Sequence, residues 1–400
     1  YEHILPTVRH TILNNDNGGP VVVNDFMKER NLARAYELVS ESVEKEHIGE
    51  DEIPSYKYFE EHIRKDSTIP FALLEADSET LLGFWTITPS LYCRGVNPIN
   101  CEGNAIFNDK IKHLGVFPTL SRLFYTYATA LGYEGALVGI PQGRHSLLET
   151  LQKEGMDEIG TLPKMTRLKY KGWVDGVLLY NRFNDSGLGR DTFRQPKTVV
   201  QTPTEVDMKI NQHHKKVQDL PRACIMRDGT EVLIDYARDD QIVDIYQIFK
   251  DEIDEGNGYA VDEYPTLDHF LSKVGNVGHV FALTLNTGEL VGSQCVIPGR
   301  FGRTTKPCLA GFPIVLDKRF RGKGNFIQFM MMHGLFCYEL GFAGSIGDTF
   351  VGNTSVLMKA GGLDGTTSNT ITATIPYTAF VNGKGWQDSS LMYADIEGLI

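Results

Sequence analysis

Between Cys308 and Met332 the chain reads CLAGFPIVLDKRFRGKGNFIQFMMM. Arg319, Arg321 and Lys323 stand there with Gly322 and Gly324 in one short basic turn. Before it, Phe312 to Leu316 is an apolar run with β-branched residues, which predicts a buried strand. After it, Phe326 to Leu340 is apolar nearly throughout, without Pro, which predicts a buried helix. Strand, turn and helix in that order make an anion site. The first N–H groups of a helix lack internal partners, and the helix dipole leaves partial positive charge there. Glycines let a phosphate approach the backbone, and the cations add charge-assisted hydrogen bonds. The plain alternative is an ordinary basic strand-to-helix turn.

Known phosphate loops narrow the choice. A nucleotide P-loop needs Lys and then Ser or Thr after its second glycine, which this stretch lacks. A dinucleotide fingerprint needs a third glycine, but Asn325, Phe326 and Ile327 follow Gly322-Lys323-Gly324. Leu316 to Gly324 resembles the pyrophosphate loop of the GNAT superfamily of N-acetyltransferases, V-x-P-x-x-R-G-x-G, with Arg321 just before Gly322. Phe326 departs from the pattern by standing at its last small position. The resemblance implies acetyl-CoA, or another acyl-CoA, held by Ile314, Val315, Leu316, Arg319, Arg321, Gly322, Lys323, Gly324, Asn325 and Phe326. It adds Asn353, which caps a later helix or contacts the pantetheine.

The chain has 400 residues, the length of two moderate domains. A formal net charge of −12 argues against attraction to nucleic acid. No apolar run is long enough to span a membrane. Six cysteines without C-x-x-C pairing favour a reducing compartment, hence a cytoplasmic location, and no metal cluster. Tyr1 is not Met, which leaves a trimmed leader open.

An internal repeat organises the rest. Lys171-Gly172-Trp173 reappears as Lys384-Gly385-Trp386, and each is followed by an Asp and, later, a Tyr (Asp175 and Tyr180; Asp388 and Tyr393). Further back, Leu131-Gly132-Tyr133 answers Leu340-Gly341-Phe342, and Phe71-Ala72-Leu73 answers Phe281-Ala282-Leu283. Gly83 answers Gly292, and Asp109-Lys110 answers Asp317-Lys318. An ordered series at such long spacing is a duplicated domain, not a solenoid. The expected boundaries are an N-terminal domain over 1–183, a linker over 184–222 and a C-terminal domain over 223–400.

Each half reads as two helices, a hairpin, strand, loop, long helix, strand, short helix and a final strand pair. The helices are Asn31 to Glu44 and Tyr56 to Arg64, then Gln241 to Ile253 and Thr266 to Val274. The hairpins are Phe71 to Leu74 with Leu82 to Ile87, and Val280 to Leu285 with Leu290 to Ile297. This order resembles the same superfamily, so the expected class is α/β (α+β), two tandem domains, each a mixed, splayed sheet flanked by helices. The linker is polar and turn-rich, with one strand over Lys197 to Gln201. His213-His214 in it read as solvated histidines rather than metal ligands.

The halves differ at the loop. In the first, Leu114 and Val116 align with Gly322 and Gly324, and their Cβ groups would crowd a phosphate. The first half is therefore expected to be degenerate and the second competent. The resemblance places catalysis where Phe312 to Leu316 and Ser345 to Val351 splay apart. There a backbone N–H would polarise a thioester carbonyl, and a base would take the amine proton. Asp348 on the second strand is the first candidate base and a substrate contact. Glu255, Asp262 and Glu263, in the segment joining the first two helices, are the others; the alternative for Asp262 and Glu263 is a solvated loop carboxylate. Tyr259 and Tyr264 are expected to line the acceptor pocket. Ser355 is the only candidate acid in the later helix.

The expected substrate is a small amine or amino acid, and the expected assembly is a monomer or homodimer. A protein or peptide N-acetyltransferase and a non-catalytic, partner- or ligand-binding tandem protein are the alternatives.

Overall fold

The computed structural model describes residues 4–5, 8–14, 20–46, 53–65, 67–111, 114–183, 215–302, 304, 307–352 and 370–396. The first half contains β1 (His10–Leu13), β2 (Val22–Phe26), α1 (Leu32–Glu44), α2 (Tyr56–Arg64), β3 (Ile69–Glu75), β4 (Leu81–Pro89) and β5 (Asn100–Phe107). It continues with α3 (Phe117–Ala130), β6 (Gly135–Pro141), α4 (His145–Lys153), β7 (Asp157–Leu168) and β8 (Gly172–Arg182). The second half contains β9 (Arg222–Ile225), β10 (Glu231–Tyr236), α5 (Asp239–Asp254), α6 (Leu267–Phe270), β11 (His279–Thr284) and β12 (Leu290–Pro298). After these come β13 (Leu309–Gly311), β14 (Ile314–Leu316), α7 (Phe326–Leu340), β15 (Gly344–Phe350), β16 (Thr370–Val381) and β17 (Gly385–Asp395).

The fold is a mixed α/β sheet flanked by helices. The ladder runs β1-β2-β3-β4-β5-β6-β8-β7 through the first half. It crosses at β7-β16 and returns β17-β15-β13-β12-β11-β10-β9, with β14 also on β12. All these pairings are antiparallel except β5-β6 and β13-β15.

The repeat is visible as matching irregularities. β7 breaks register between Glu158 and Gly160 and between Leu162 and Thr166; β16 does so between Ile371 and Ala373 and between Ile375 and Ala379. Lys164 and Tyr377 sit at corresponding bulges with φ of +45° and +50°. Each donates its N–H to the carboxylate of Asp175 or Asp388, at 2.8 and 3.0 Å. Non-glycine residues enter this region at a cost, so the same local carboxylate holds the same strained turn twice. The crossing pair, Gly160 with Ala373, joins two corresponding positions. The stacked rings of Tyr92 and Phe301, 6.4 Å apart, occupy equivalent places in the loops after β4 and β12. Corresponding positions of the two halves thus meet each other where the ladder crosses.

Each half buries both faces of its sheet. In the second, Phe329 and Phe336 of α7 pack with Phe281 of β11, and Phe249 of α5 and Phe270 of α6 pack in one core with Val315 of β14. Fully burying such a side chain contributes roughly 1.5–3 kcal/mol. A further core belongs to both halves: Tyr92, Leu137, Leu162 and Leu178 meet Phe301, Leu309, Ile346 and Leu391.

Several sequence expectations need correction. Each half opens with a strand pair, β1-β2 and β9-β10, that the sequence reading lacked; the runs Val21-Val22-Val23 and Val232-Leu233-Ile234 are too short to announce strands. Phe312 to Leu316 is not one strand. The ladder breaks at Phe312 and Pro313, because Pro has no N–H to give it. Helix α7 matches its predicted ends but is not buried all round, since Met331, Leu335 and Tyr338 form an exposed stripe. Val217 is buried in the second core, so the chain before Arg222 is not all linker. The predicted strand at 197–201, the linker glycines and His213-His214 lie outside the described residues.

Candidate active site

The site begins where parallel strands part. β13 pairs with β15 only at Leu309–Gly344 and Ala310–Ser345. Beyond Pro313 the chain, as β14, pairs with β12 alone, while β15 follows β17. A crevice opens between β14 and β15. β5 and β6 part in the same way after Asn100–Gly135 and Cys101–Ala136.

The crevice of the second half is lined with polar groups. Tyr259 reaches β14, where its hydroxyl donates to the Ile314 carbonyl at 2.9 Å and accepts from the Ile314 N–H at 3.1 Å. One phenol therefore satisfies both backbone groups that the parted strand would otherwise leave open. Arg94, from the loop after β4, enters from the first half. Its guanidinium lies 5.0 Å from the centroids of both Tyr259 and Phe350. Its Nε and Nη2 donate to Oε1 of Glu263 at 3.2 and 3.1 Å. The other Glu263 oxygen accepts from the Ala260 N–H at 3.0 Å.

Asp348 stands on β15 within this cluster, its side chain 6% exposed. Oδ1 accepts from Arg300 Nη2 at 2.6 Å. Oδ2 is buried with no hydrogen-bond partner. Burial pushes its pKa up, but the nearby Arg300 and Arg94 guanidiniums outweigh that and hold it below the ordinary carboxylate value. The group is therefore ionised throughout the neutral range and keeps one oxygen free to accept.

Asp262 and Glu263 are not solvated loop carboxylates. Asp262 Oδ2 accepts from the Asn97 N–H at 2.8 Å and from its side-chain amide at 3.2 Å, so both acids bind the first half. Burial raises the Asp262 pKa against those hydrogen bonds. The sequence did hold a signal for this segment. Asp262-Glu263-Tyr264-Pro265-Thr266 repeats Asp51-Glu52-Ile53-Pro54-Ser55, and Thr266 and Ser55 each cap the helix that follows. Tyr264 is buried with Phe249 and Phe270 rather than facing a pocket.

The basic turn has the predicted backbone. Gly322 and Gly324 adopt φ of +75° and +80°, a region that favours glycine. The first turn of α7 has no side-chain cap, so its N–H groups are not taken up by the Asn325 side chain. That side chain instead ties the turn together, accepting from the Arg227 N–H and donating to the Phe320 carbonyl, each at 3.0 Å.

The turn's own cations are paired. Arg319 meets Asp317 and Glu289, Arg321 meets Glu252 and Glu255, and Lys323 meets Asp228. Arg227, on the turn between β9 and β10, was missed by the sequence reading. It lies against Gly324, and among the described residues its guanidinium has no ion pair. Burial pushes the Glu252 carboxyl up to about 7; Arg321 opposes that and Glu255 adds to it.

The first half's crevice differs. The loop alignment must move by one residue, because α3 and α7 begin at equivalent positions, Phe117 and Phe326. Gly115, not Val116, then corresponds to Gly324, and it too has positive φ, +69°. The clearer loss is at the acid. Gly139 takes the place of Asp348, opposite Leu178 as Asp348 is opposite Leu391. A Cβ there would stand 2.0 Å from the Tyr92 hydroxyl, so the phenol fills the space. Asn353 and Ser355 lie outside the described residues.

No family model and no curated protein matches the chain. The solved structures to which it is similar are N-acetyltransferases. One is an N-acetyltransferase from Staphylococcus aureus, 15% identical, covering 41% of this chain and 99% of its own, with a TM-score of 0.35. Another is a ribosomal-protein-alanine N-acetyltransferase from Brucella melitensis, 15% identical, covering 40% and 98%, TM-score 0.34. A third is yncA from Salmonella typhimurium with its cofactor acetyl-CoA, 12% identical, covering 42% and 96%, TM-score 0.35.

Proposed function

We propose that the protein is an acetyl-CoA-dependent N-acetyltransferase built of two tandem domains, acting on a small amine or amino acid in its second half. The observation that carries this is the parting of β14 and β15, with the buried, unpartnered Asp348 oxygen on the second of these strands. The residues present fit the cofactor: an uncapped helix start, two left-handed glycines and Arg227 form one basic corner. Acetyl-CoA, when bound, supplies the acetyl group as a reactive thioester.

On this reading the α7 N–H groups, with Gly322, Gly324 and Arg227, hold the anionic end. The Ile314 N–H is the donor on the parted strand, and the Tyr259 phenol must leave it before it can serve an oxyanion. Asp348 Oδ2 accepts an N–H of the neutral amine, orients it and receives its proton. The segment around Tyr259 reaches into the parted strands through its phenol, which favours a small acceptor over a peptide.

Calorimetry should give one acetyl-CoA per chain, and Gly324→Val should abolish binding. Valine is strained at φ +80°, and its Cβ would come within 2.9 Å of the Arg227 side chain. Two equal sites would overturn the assignment of the first half as degenerate.

Binding should also depend on pH. Below about pH 7 Glu252 is neutral, and above it the carboxylate competes with the ligand for Arg321. Affinity for acetyl-CoA should therefore fall as pH rises through about 7, and Glu252→Gln should flatten the dependence. The sign for folding agrees: a raised carboxyl pKa contributes stability present at acid pH and lost as pH rises through it.

A second reading is favoured by Tyr259 itself. Its phenol fills the backbone slot of Ile314, as expected of a non-catalytic protein that keeps the fold. Absence of any acetyl-CoA binding to the wild-type chain would decide for that reading.

A further inference from the structure

The loop after β4 belongs to the first half by sequence, yet the second half holds it. The Arg94 N–H donates to the Thr378 carbonyl on β16 at 2.7 Å. Asn97 donates twice to Asp262, and Arg300 Nη1 donates to the Cys93 carbonyl at 3.0 Å. The loop is thus tied at each end of Arg94 and cannot shift without breaking contacts to the other half.

The side chain it delivers is an unusual choice for packing alone. Arg94 is 8% exposed and sits between two aromatic rings, where an apolar residue would pack without desolvating a charge. Its one carboxylate partner among the described residues, Glu263, comes from the segment that also places Tyr259. Asp348 already has Arg300 as a partner. Arg300 thus holds Asp348 directly, while Arg94 lies over Phe350, two residues along β15 and on the same face of that strand.

We propose that the site is composite: Arg94, supplied by the first half, is a positioning residue that fixes the Asp348 carboxylate and the Tyr259 phenol for acyl transfer in the second half. The inference rests on the acetyltransferase reading above. It gives the first half a role that does not require its own crevice, where glycine replaces the acid. It also says which charged groups face one another. Asp348 is faced by Arg300 from the loop after β12, Arg94 from the loop after β4 and the Ser389 hydroxyl on β17; Arg94 is faced in turn by Glu263 and Tyr259.

The test uses the full chain with Arg94→Gln, Arg94→Lys, Asp348→Asn and the Arg94→Gln/Asp348→Asn pair. Arg94→Gln should lower kcat roughly a hundredfold, the scale on which misplacing a reacting group costs rate. Acetyl-CoA affinity should stay unchanged. The acid limb of the rate profile should move to higher pH, and Arg94→Lys should restore its position. Equal losses in rate and acetyl-CoA affinity, or an unmoved limb, would overturn the proposal and leave Arg94 as interface packing.

A second measurement needs no activity. With its depressed pKa, Asp348 contributes stability above its unfolded value, lost as pH falls through the folded one. In Arg94→Gln that loss should begin at higher pH in urea unfolding, and in the double variant it should vanish. If transfer is measured but stability shows no such coupling, the composite site falls alone. If the coupling is present and no acetyl transfer is found with any amine or amino acid tried, the acetyltransferase reading falls and takes this inference with it.

Discussion

Asp348→Asn should lower the rate of acetyl transfer roughly a hundredfold or more, within the 10²–10⁴ typical of a lost general base. The amide keeps the shape and one acceptor, but it cannot take a proton. Acetyl-CoA affinity should hardly change, because the turn from Arg319 to Gly324 contacts other residues. The wild-type profile should show no inflection from this carboxylate near neutrality, since Arg300 and Arg94 keep it ionised. A neutral-pH limb should instead follow the pKa of the amine. Near-normal turnover in Asp348→Asn would make the residue structural. The carboxylates next in line, Asp262 and Glu263, are both engaged with the first half and are poorer bases for that reason.

The largest effect on stability should come from Glu263→Ala. The pair with Arg94 has side chains 8% and 13% exposed, and removing one partner leaves a buried guanidinium uncompensated. Such a loss costs about 3–5 kcal/mol. The Ala260 N–H also loses its acceptor, which adds about 1–3 kcal/mol if no water replaces it. Urea unfolding should therefore report a much weakened chain, whereas Glu289→Ala, at an exposed pair with Arg319, should change stability by no more than about 1 kcal/mol. If the two variants behave alike, the buried cluster does not hold the halves together.

Much of the fold was legible because its elements have strong local causes. The ends of α7, Phe326 and Leu340, follow from an unbroken apolar run closed by Gly341 in a left-handed turn. The hairpins β3-β4 and β11-β12 follow from turn residues between apolar runs. β1, β2, β9 and β10 were not legible, since each is short and depends on its neighbour for hydrogen bonds. At the site, the glycine turn could be read because φ is a local property. The partners of Arg319 and Arg321 could not, as Glu289 and Glu252 are distant in sequence. The same holds for Arg94. Nothing around it announces a buried cation; only the docking of the two halves puts it between Tyr259 and Phe350.

The meeting of β7 with β16 at Gly160 and Ala373 has a consequence for dissection. Each stands at the end of its own half's ladder, and each is twelve residues long. Parted, both would present open ladders beside the bared side chains of Leu162, Ile375 and Leu391, the kind of edge that recruits foreign strands. Gly160 admits no side chain, since a Cβ would stand 2.3 Å from the Thr372 carbonyl oxygen, so the seam tolerates little redesign. Neither half is thus a convenient fragment to express alone. The molecule is better handled as the whole chain, in which β7 and β16 cover each other's open edge.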